Sequence, residues 1–493
     1  MNRLVFLLSL LMMPTAQAAL TLEKTTEGIA YLKGIPYAQP PVEALRWMPP
    51  IDVTFSPDEG HGGAELGPAC PGATRPDEPQ DQVTDEDCLT LNVWTPDPQG
   101  KLPVMVWIHG GAFRWGSGDV PGELLAAEGV VVVSLNYRLG PLGFFVHKEL
   151  DKTPANFALL DMISALRWVH RHIDAFGGDR DRVTVFGVSA GGMAVNMLMT
   201  SPVAGGLFDR AIAQSGYATW PINRHNVDVA PHRRWSDAAV VEATASVSAV
   251  LETAAVTDQT LAALRTVPAE SLVSALQGFQ LPIVDGISLP REPGACFLDT
   301  DCPINGRAYM TGANSAEGAV MPATGISMAQ FRADFPGDTD SVAAVYAADY
   351  TQSRDRGWLR FFGDLRYLTS AVITAQGTHA RGLPTFTYWV DTSLPMAVPG
   401  TEPLLSGMPH GVDAALLWGQ LDALPGMVAS GATMRKAWAD FAHGENNQLG
   451  DWSAWRDGGH WWQQLGDPGG DVSDEIADRL ELVERLYLRR VAR

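Results

Sequence analysis

The stretch "VTVFGVSAGGMAV", residues 183–195, joins two kinds of apolar pattern. Val183, Val185, Phe186 and Val188 make a short apolar run of the kind a fully buried strand uses. Met193, Val195, Met197, Leu198 and Met199 supply the apolar content of a helix. Between them lies Gly187-Val188-Ser189-Ala190-Gly191, a G-x-S-x-G pentapeptide. On a sharp strand-to-helix turn, small neighbours let the backbone reverse and leave a serine hydroxyl raised above the sheet. The pentapeptide alone arises by chance in many chains. Its meaning depends on whether the sequence also supplies a base, an acid and donors for an oxyanion.

Strand-like runs alternate with helical segments on both sides of it. "LNVWTP" (91–96), "LPVMVWIHG" (102–110), "GVVVVSLNYR" (129–138) and "RVTVFGV" (182–188) are rich in valine and aromatic residues. Between the last two, Leu159, Met162, Ile163, Leu166 and Val169 recur at helical spacing until Gly177-Gly178 stops the helix. Strands alternating with long helices predict an α/β fold whose mostly parallel sheet is covered on both faces. Residues 220–290 change character and read as helical insertions beside the sheet, interrupted by Pro268 and Pro282. Strands resume with "RAYMTGAN" (307–314) and "TFTYWV" (385–390). An amphipathic helix, Ser473 to Arg490, ends the fold, with Ile476, Leu480, Val483 and Tyr487 on its packing face.

The first residues carry a different signal. Arg3 precedes the apolar run Leu4–Met13, and Ala16-Gln17-Ala18 forms a small-x-small site. This pattern is that of a secretory signal peptide, residues 1–18. The run is shorter than the roughly 20 residues a membrane span needs, and no later run is long and uniformly apolar enough. The expected mature chain, 19–493, is one domain, secreted or periplasmic. Four cysteines suit an oxidising compartment, and local bridges Cys70–Cys88 and Cys296–Cys302 are the first choice of three pairings.

Charge narrows the partners. The 493 residues hold 56 acidic and 35 basic side chains, a formal charge of −21. That balance argues against a nucleic-acid partner, whose phosphates are held largely by Lys and Arg. The cysteine spacings fit no common zinc pattern, and His109 has no H-E-x-x-H context. The glycines at 187, 191 and 192 lack dinucleotide-site spacing, so neither a metal nor any cofactor is indicated. Nothing in the sequence sets an oligomeric state.

"WIHGGAF", Trp107 to Phe113, ends a predicted strand. A tetrahedral oxyanion needs preorganised donors about 2.7–3.1 Å away, and main-chain N–H groups serve only where no bulky side chain blocks them. Gly110, Gly111 and Ala112 meet that condition. Ala190, opening the helix after the serine, offers another N–H at a terminus whose dipole favours negative charge.

With these segments the chain resembles the type-B carboxylesterases of the α/β-hydrolase fold, the family that includes the cholinesterases. The resemblance runs through "GIPYAQPPVEALRWMPP" (34–50), "EDCLTLNVWTP" (86–96), "HGGAF", "NYRLGPLGFF" (136–145), "FGVSAGG", "AIAQSG" (211–216) and "WADFAHGENN" (438–447). It implies a serine esterase acting on a small-molecule ester through an acyl-enzyme, with Ser189 as nucleophile. "GANSAEG" (312–318) is similar to the family's acid segment and places the acid at Glu317. Asn314-x-x-Glu317 also reads as a helix capping box, and Asp285 and Asp299 are other acids nearby. "GMPHGVDAALLWG" (407–419) resembles the family's histidine segment and places the base at His410, ahead of His379, His443 and His460. The order Ser189, Glu317, His410 is that of α/β-hydrolases. Gly111, Ala112 and Ala190 become the oxyanion donors.

Two departures stand out. The family usually has a third glycine at Ala112, and an expected glycine near Val42-Glu43-Ala44 is missing. Arg114 and Trp115 follow the oxyanion turn; Arg114 either pairs with a substrate carboxylate or rests its stem on an aromatic ring. An acyltransferase or lactonase with the same triad, and a silent binding protein on this fold, are the alternatives.

Overall fold

The computed structural model describes residues 20–491 except 57–61, 74–82, 146, 151–152, 223, 226–259, 276–281, 392–403, 445–451, 456–461 and 466–469. The expected signal peptide and His460 lie outside the described residues. In chain order the strands are β1 (Glu23–Lys24), β2 (Ala30–Pro36), β3 (Thr90–Thr95), β4 (Leu102–Ile108), β5 (Val131–Leu135), β6 (Gly178–Val188), β7 (Arg210–Gln214), β8 (Arg224–His225), β9 (Ile283–Val284), β10 (Ala308–Asn314), β11 (Thr385–Val390), β12 (Gln463–Leu465) and β13 (Gly470–Asp471).

Among the described residues, eleven of these form one sheet in the order β1-β2-β3-β5-β4-β6-β7-β10-β11-β12-β13. From β5 through β12 every neighbouring pair is parallel, while both edges are antiparallel. Side chains of successive strand residues point to opposite faces, and the core divides accordingly. Val104, Val106, Ile108, Val183 and Val185 belong to one buried cluster, with the helices Phe157–His172 and Ala190–Thr200. Met105, Trp107, Phe186 and Val188 belong to the other, with Leu416, Leu417, Met434 and Trp438 from the helices Val412–Leu417 and Met427–His443. Both faces are covered, as continuous valine-rich strands require.

The strand order determines where a site can form. From β4 the chain steps one way to β5 and then the other way to β6, so β4 and β6 are neighbours. Loops leaving their carboxyl ends diverge and open a crevice.

Several boundaries differ from the sequence reading. β4 and β5 end at Ile108 and Leu135, short of the apolar runs read to 110 and 138. Their last residues turn off the sheet instead. β6 starts at Gly178, four residues earlier than the run read from 182. Between 220 and 290 the described residues include the helices Leu261–Leu264 and Ala269–Ala275, as expected, but also the parallel pair β8–β9. Two-residue strands have no periodicity to read. The last helix spans Ser473–Val491 and buries Ile476, Leu480, Val483 and Tyr487.

Candidate active site

Ser189 follows β6 directly and has φ 57° and ψ −117°. A positive φ is unusual for a side-chain-bearing residue and is held only where the surroundings overdetermine it. Here the Ser189 N–H donates to Gln214 O on β7 (2.8 Å), and Ser189 O accepts from Met193 N–H (2.8 Å) in the following helix. Gly191 makes the reversal possible. A Cβ there would sit 2.0 Å from the carbonyl oxygen of Ile108 on β4, so any other residue would push the helix off the sheet.

The glycine-rich turn after β4 lies against the serine. A Cβ on Gly110 would be 3.4 Å from Ser189 Cβ. Gly111 and Ala112 have φ 99° and 55°, so Ala112 adopts the left-handed conformation without glycine's freedom. Among the described residues no acceptor takes the N–H groups of Gly111 and Ala112. Ala190 is the first residue of its helix, whose opening N–H groups have no intrahelical partner.

Glu317 opens a 3-10 helix, Glu317–Thr324, at the end of the loop after β10, and His410 lies in the loop after β11. A parallel bridge joins the two loops at Ala316 and Pro409. His410 Nε2 is 2.8 Å from Ser189 Oγ, and its Nδ1 is 2.5 Å from Glu317 Oε2. Glu317 is almost fully buried, and its other oxygen accepts from Ser215 Oγ (2.5 Å) and Asn314 N–H (2.8 Å). The last bond is half of the capping box read from sequence. The other half is missing: among the described residues Asn314 Oδ1 accepts no hydrogen bond, while its Nδ2 donates to Pro409 O and Asp413. Serine, imidazole and carboxylate thus stand in one hydrogen-bonded line, beside main-chain amides.

The other candidates lie elsewhere. Asp285 accepts from the N–H groups of Ala155 and Leu289 and from Ser288 Oγ. Asp299 pairs with Arg291 at 2.7 Å. His379 and His443 each end a helix and bond to neither Ser189 nor Glu317. The cysteines are joined as Cys70–Cys88 and Cys296–Cys302.

A model of the carboxylesterase family matches residues 19–469. This chain belongs to the carboxylesterase family.

The esterase is similar to the fumonisin B1 esterase of Sphingopyxis macrogoltabida, 34% identical over 459 aligned residues, covering 84% of this chain and 79% of that one. It is also similar to the para-nitrobenzyl esterase of Bacillus subtilis (strain 168), 39% identical over 296 residues. That match covers 55% of this chain and 56% of the relative, so it spans little more than half of either. A solved PNB esterase superimposes with a TM-score of 0.72 at 28% identity, covering 94% of the esterase and all of the other chain. The fold is that of the α/β-hydrolases, and the esterase is a carboxylic ester hydrolase.

Its surroundings contain groups that sequence reasoning missed. The His410 ring lies against Tyr367, centroids 4.4 Å apart. Asp413, three residues after His410, is fully buried and accepts from Gln214 Nε2 (3.0 Å) and Asn314 Nδ2 (3.1 Å). Burial first, then the negative charge of Glu317, raises its pKa above the usual carboxylate value, against those hydrogen bonds. Residue 413 follows His410 closely in the chain, at the start of the helix Val412–Leu417, but only the strand order brings Gln214 and Asn314 to it.

His109 supports the turn. Its Nδ1 is 2.8 Å from Gly110 O, its ring stacks on Tyr137 at 4.2 Å, and Tyr137 Oη donates to its carbonyl. Among the described residues its buried Nε2 has no partner, which suits a neutral ring carrying its proton on Nδ1. Burial lowers its pKa to about 4. Arg114 is half-buried, with its guanidinium 5.3 Å from the centre of the Trp115 ring. No carboxylate among the described residues pairs with it.

Proposed function

We propose that the esterase works through an acyl-enzyme formed on Ser189, with His410 as general base and Glu317 as the group that orients it. The observation that carries this reading is the position of the His410 ring, within hydrogen-bond reach of Ser189 Oγ on one side and Glu317 on the other. His410 Nε2 takes the hydroxyl proton as Oγ attacks the ester carbonyl. Glu317 holds Nδ1–H, so that Nε2 faces the serine with a lone pair, and it stabilises the imidazolium that forms. The N–H groups of Gly111, Ala112 and Ala190 hold the oxyanion, prealigned where charge develops and shielded from bulk water. His410 then returns the proton to the departing alcohol. Water, deprotonated by the same nitrogen, releases the acid.

The mature chain, 19–493, acts as one exported domain. The apolar leader with its small-x-small site supports export. Two disulfides, and the lack of any membrane-crossing helix among the described residues, fit it. The substrate is a small-molecule carboxylic ester, and a para-nitrobenzyl ester is the assay substrate suggested by the name of the Bacillus relative. The decisive experiment treats the wild type and Ser189→Ala with an organophosphonate probe. Covalent labelling of the wild type alone is expected. Labelling of both proteins, or ester turnover that survives in the variant, rules the assignment out.

A further inference from the structure

The base and its acid sit on separate loops, so some group must fix the distance between those loops. We propose that Arg360 is a positioning residue that braces the Glu317 loop against the His410 loop; this rests on the roles just assigned to those two residues. Arg360 lies in the helix Arg354–Gly363, outside every motif that pointed to the site.

Its guanidinium spends its donors on three partners. Nε and Nη2 hold Asp349 at 2.8 and 3.1 Å, a two-point ion pair with both side chains about nine-tenths buried. Nη1 donates to the carbonyl of Ser315, two residues before Glu317. Nη2 also reaches the carbonyl of Ser406 (3.1 Å) and its hydroxyl (3.3 Å), four residues before His410. One planar cation therefore ties both loops to a helix and to the Asp349 carboxylate.

The neighbouring contacts tie the His410 loop to the acid loop directly. Met408 N–H donates to Ser315 Oγ (2.8 Å), which itself donates to Asp391 (2.6 Å), and Ala316 N–H donates to Met408 O (2.8 Å). With the Asn314 Nδ2 bond to Pro409 O, these bonds converge on residues 314–316, so the His410 loop takes its position from the acid loop. Gly407 completes the close approach: with φ 102°, a Cβ there would lie 2.3 Å from Ser315 Oγ. Arg360 reaches both loops from outside with one charged group. Lysine cannot replace it, because an ammonium is a single point of charge, whereas the guanidinium is a rigid fork that serves several acceptors at once. Reach of about an ångström at a base is worth orders of magnitude in rate.

The test compares Arg360→Lys and Asp349→Asn with the wild type and Ser189→Ala. Steady-state kcat and KM are measured on a neutral ester, together with the rate of phosphonylation of Ser189. Near-UV circular dichroism gives the folded fraction. Arg360→Lys is expected to lower kcat and the phosphonylation rate by about 10- to 100-fold, with KM changed less than threefold. Asp349→Asn, which leaves the fork in place but loosens its anchor, is expected to lose about three- to tenfold in kcat. Values of kcat within twofold of wild type, or losses that only follow the folded fraction, overturn the brace. If Ser189→Ala stays active, the assignment of the serine fails instead, so the two failures are told apart.

Discussion

His410 Nε2 lies 2.8 Å from Ser189 Oγ although 221 residues separate them in the chain. Their loops leave the same edge of one sheet, from β6 and β11, with only β7 and β10 between. Because Ser189 supplies the attacking oxygen in the proposed mechanism, Ser189→Ala should lower kcat by about four to six orders of magnitude. Its melting temperature should stay close to that of the wild type. Stopped assays on freshly purified variant, with the probe used to count contaminating wild-type sites, measure the residual rate. Loss of less than a hundredfold is incompatible with an acyl-serine.

Glu317→Gln tests the orienting role without changing shape. One carboxylate oxygen of Glu317 accepts from Ser215 and from Asn314 N–H, so the amide oxygen of a glutamine must face those donors. Its NH2 then faces His410 Nδ1, which must accept, and the ring proton moves to Nε2. That nitrogen can no longer take a proton from Ser189. A fall in kcat of about 10³- to 10⁴-fold is expected, with little change in KM. A fall of under tenfold removes Glu317 from the mechanism.

Acid sensitivity should depend partly on His109. Its pKa is about 4 when folded against an ordinary 6.5, so between those values the unfolded chain binds more protons. The stability it contributes is complete above pH 6.5 and is lost as pH falls toward 4. His109→Gln keeps an N–H for Gly110 O but cannot titrate. Urea melts from pH 4.5 to 7 should show a shallower pH slope in the variant, by up to about 1.4 kcal/mol per pH unit. Parallel slopes would show that His109 titrates alike in the folded and unfolded states.

Asp413 works with the opposite sign. Its raised pKa means that the folded protein keeps a proton which the unfolded chain has already released. The stability it contributes therefore declines as pH rises above the ordinary carboxylate range. Asp413→Asn is neutral throughout but disturbs the bonds from Gln214 and Asn314. Its deficit in melting temperature should be largest near pH 4 and shrink toward pH 7. A deficit that grows with pH would mean that the carboxylate is stabilised by its setting.

What the sequence determined on its own was local. The reversal at Ser189, the bare amides after β4 and the two-faced burial of the valine strands follow from neighbouring side chains, because glycine tolerance and alternation act over a few residues. Glu317 and His410 were singled out mainly through their resemblance to family segments, since a place past a strand end or before an apolar helix does not by itself settle which acid and which histidine meet the serine. Tertiary structure alone decided the rest. Ser215 and Asp413 reach Glu317 and Asn314 because β7, β10 and β11 lie side by side, and Tyr367 reaches the His410 ring through helix packing; periodicity reports how buried an element is, not which elements become its neighbours. The unpredicted β8–β9 pair has the same origin: two-residue strands exist only through each other.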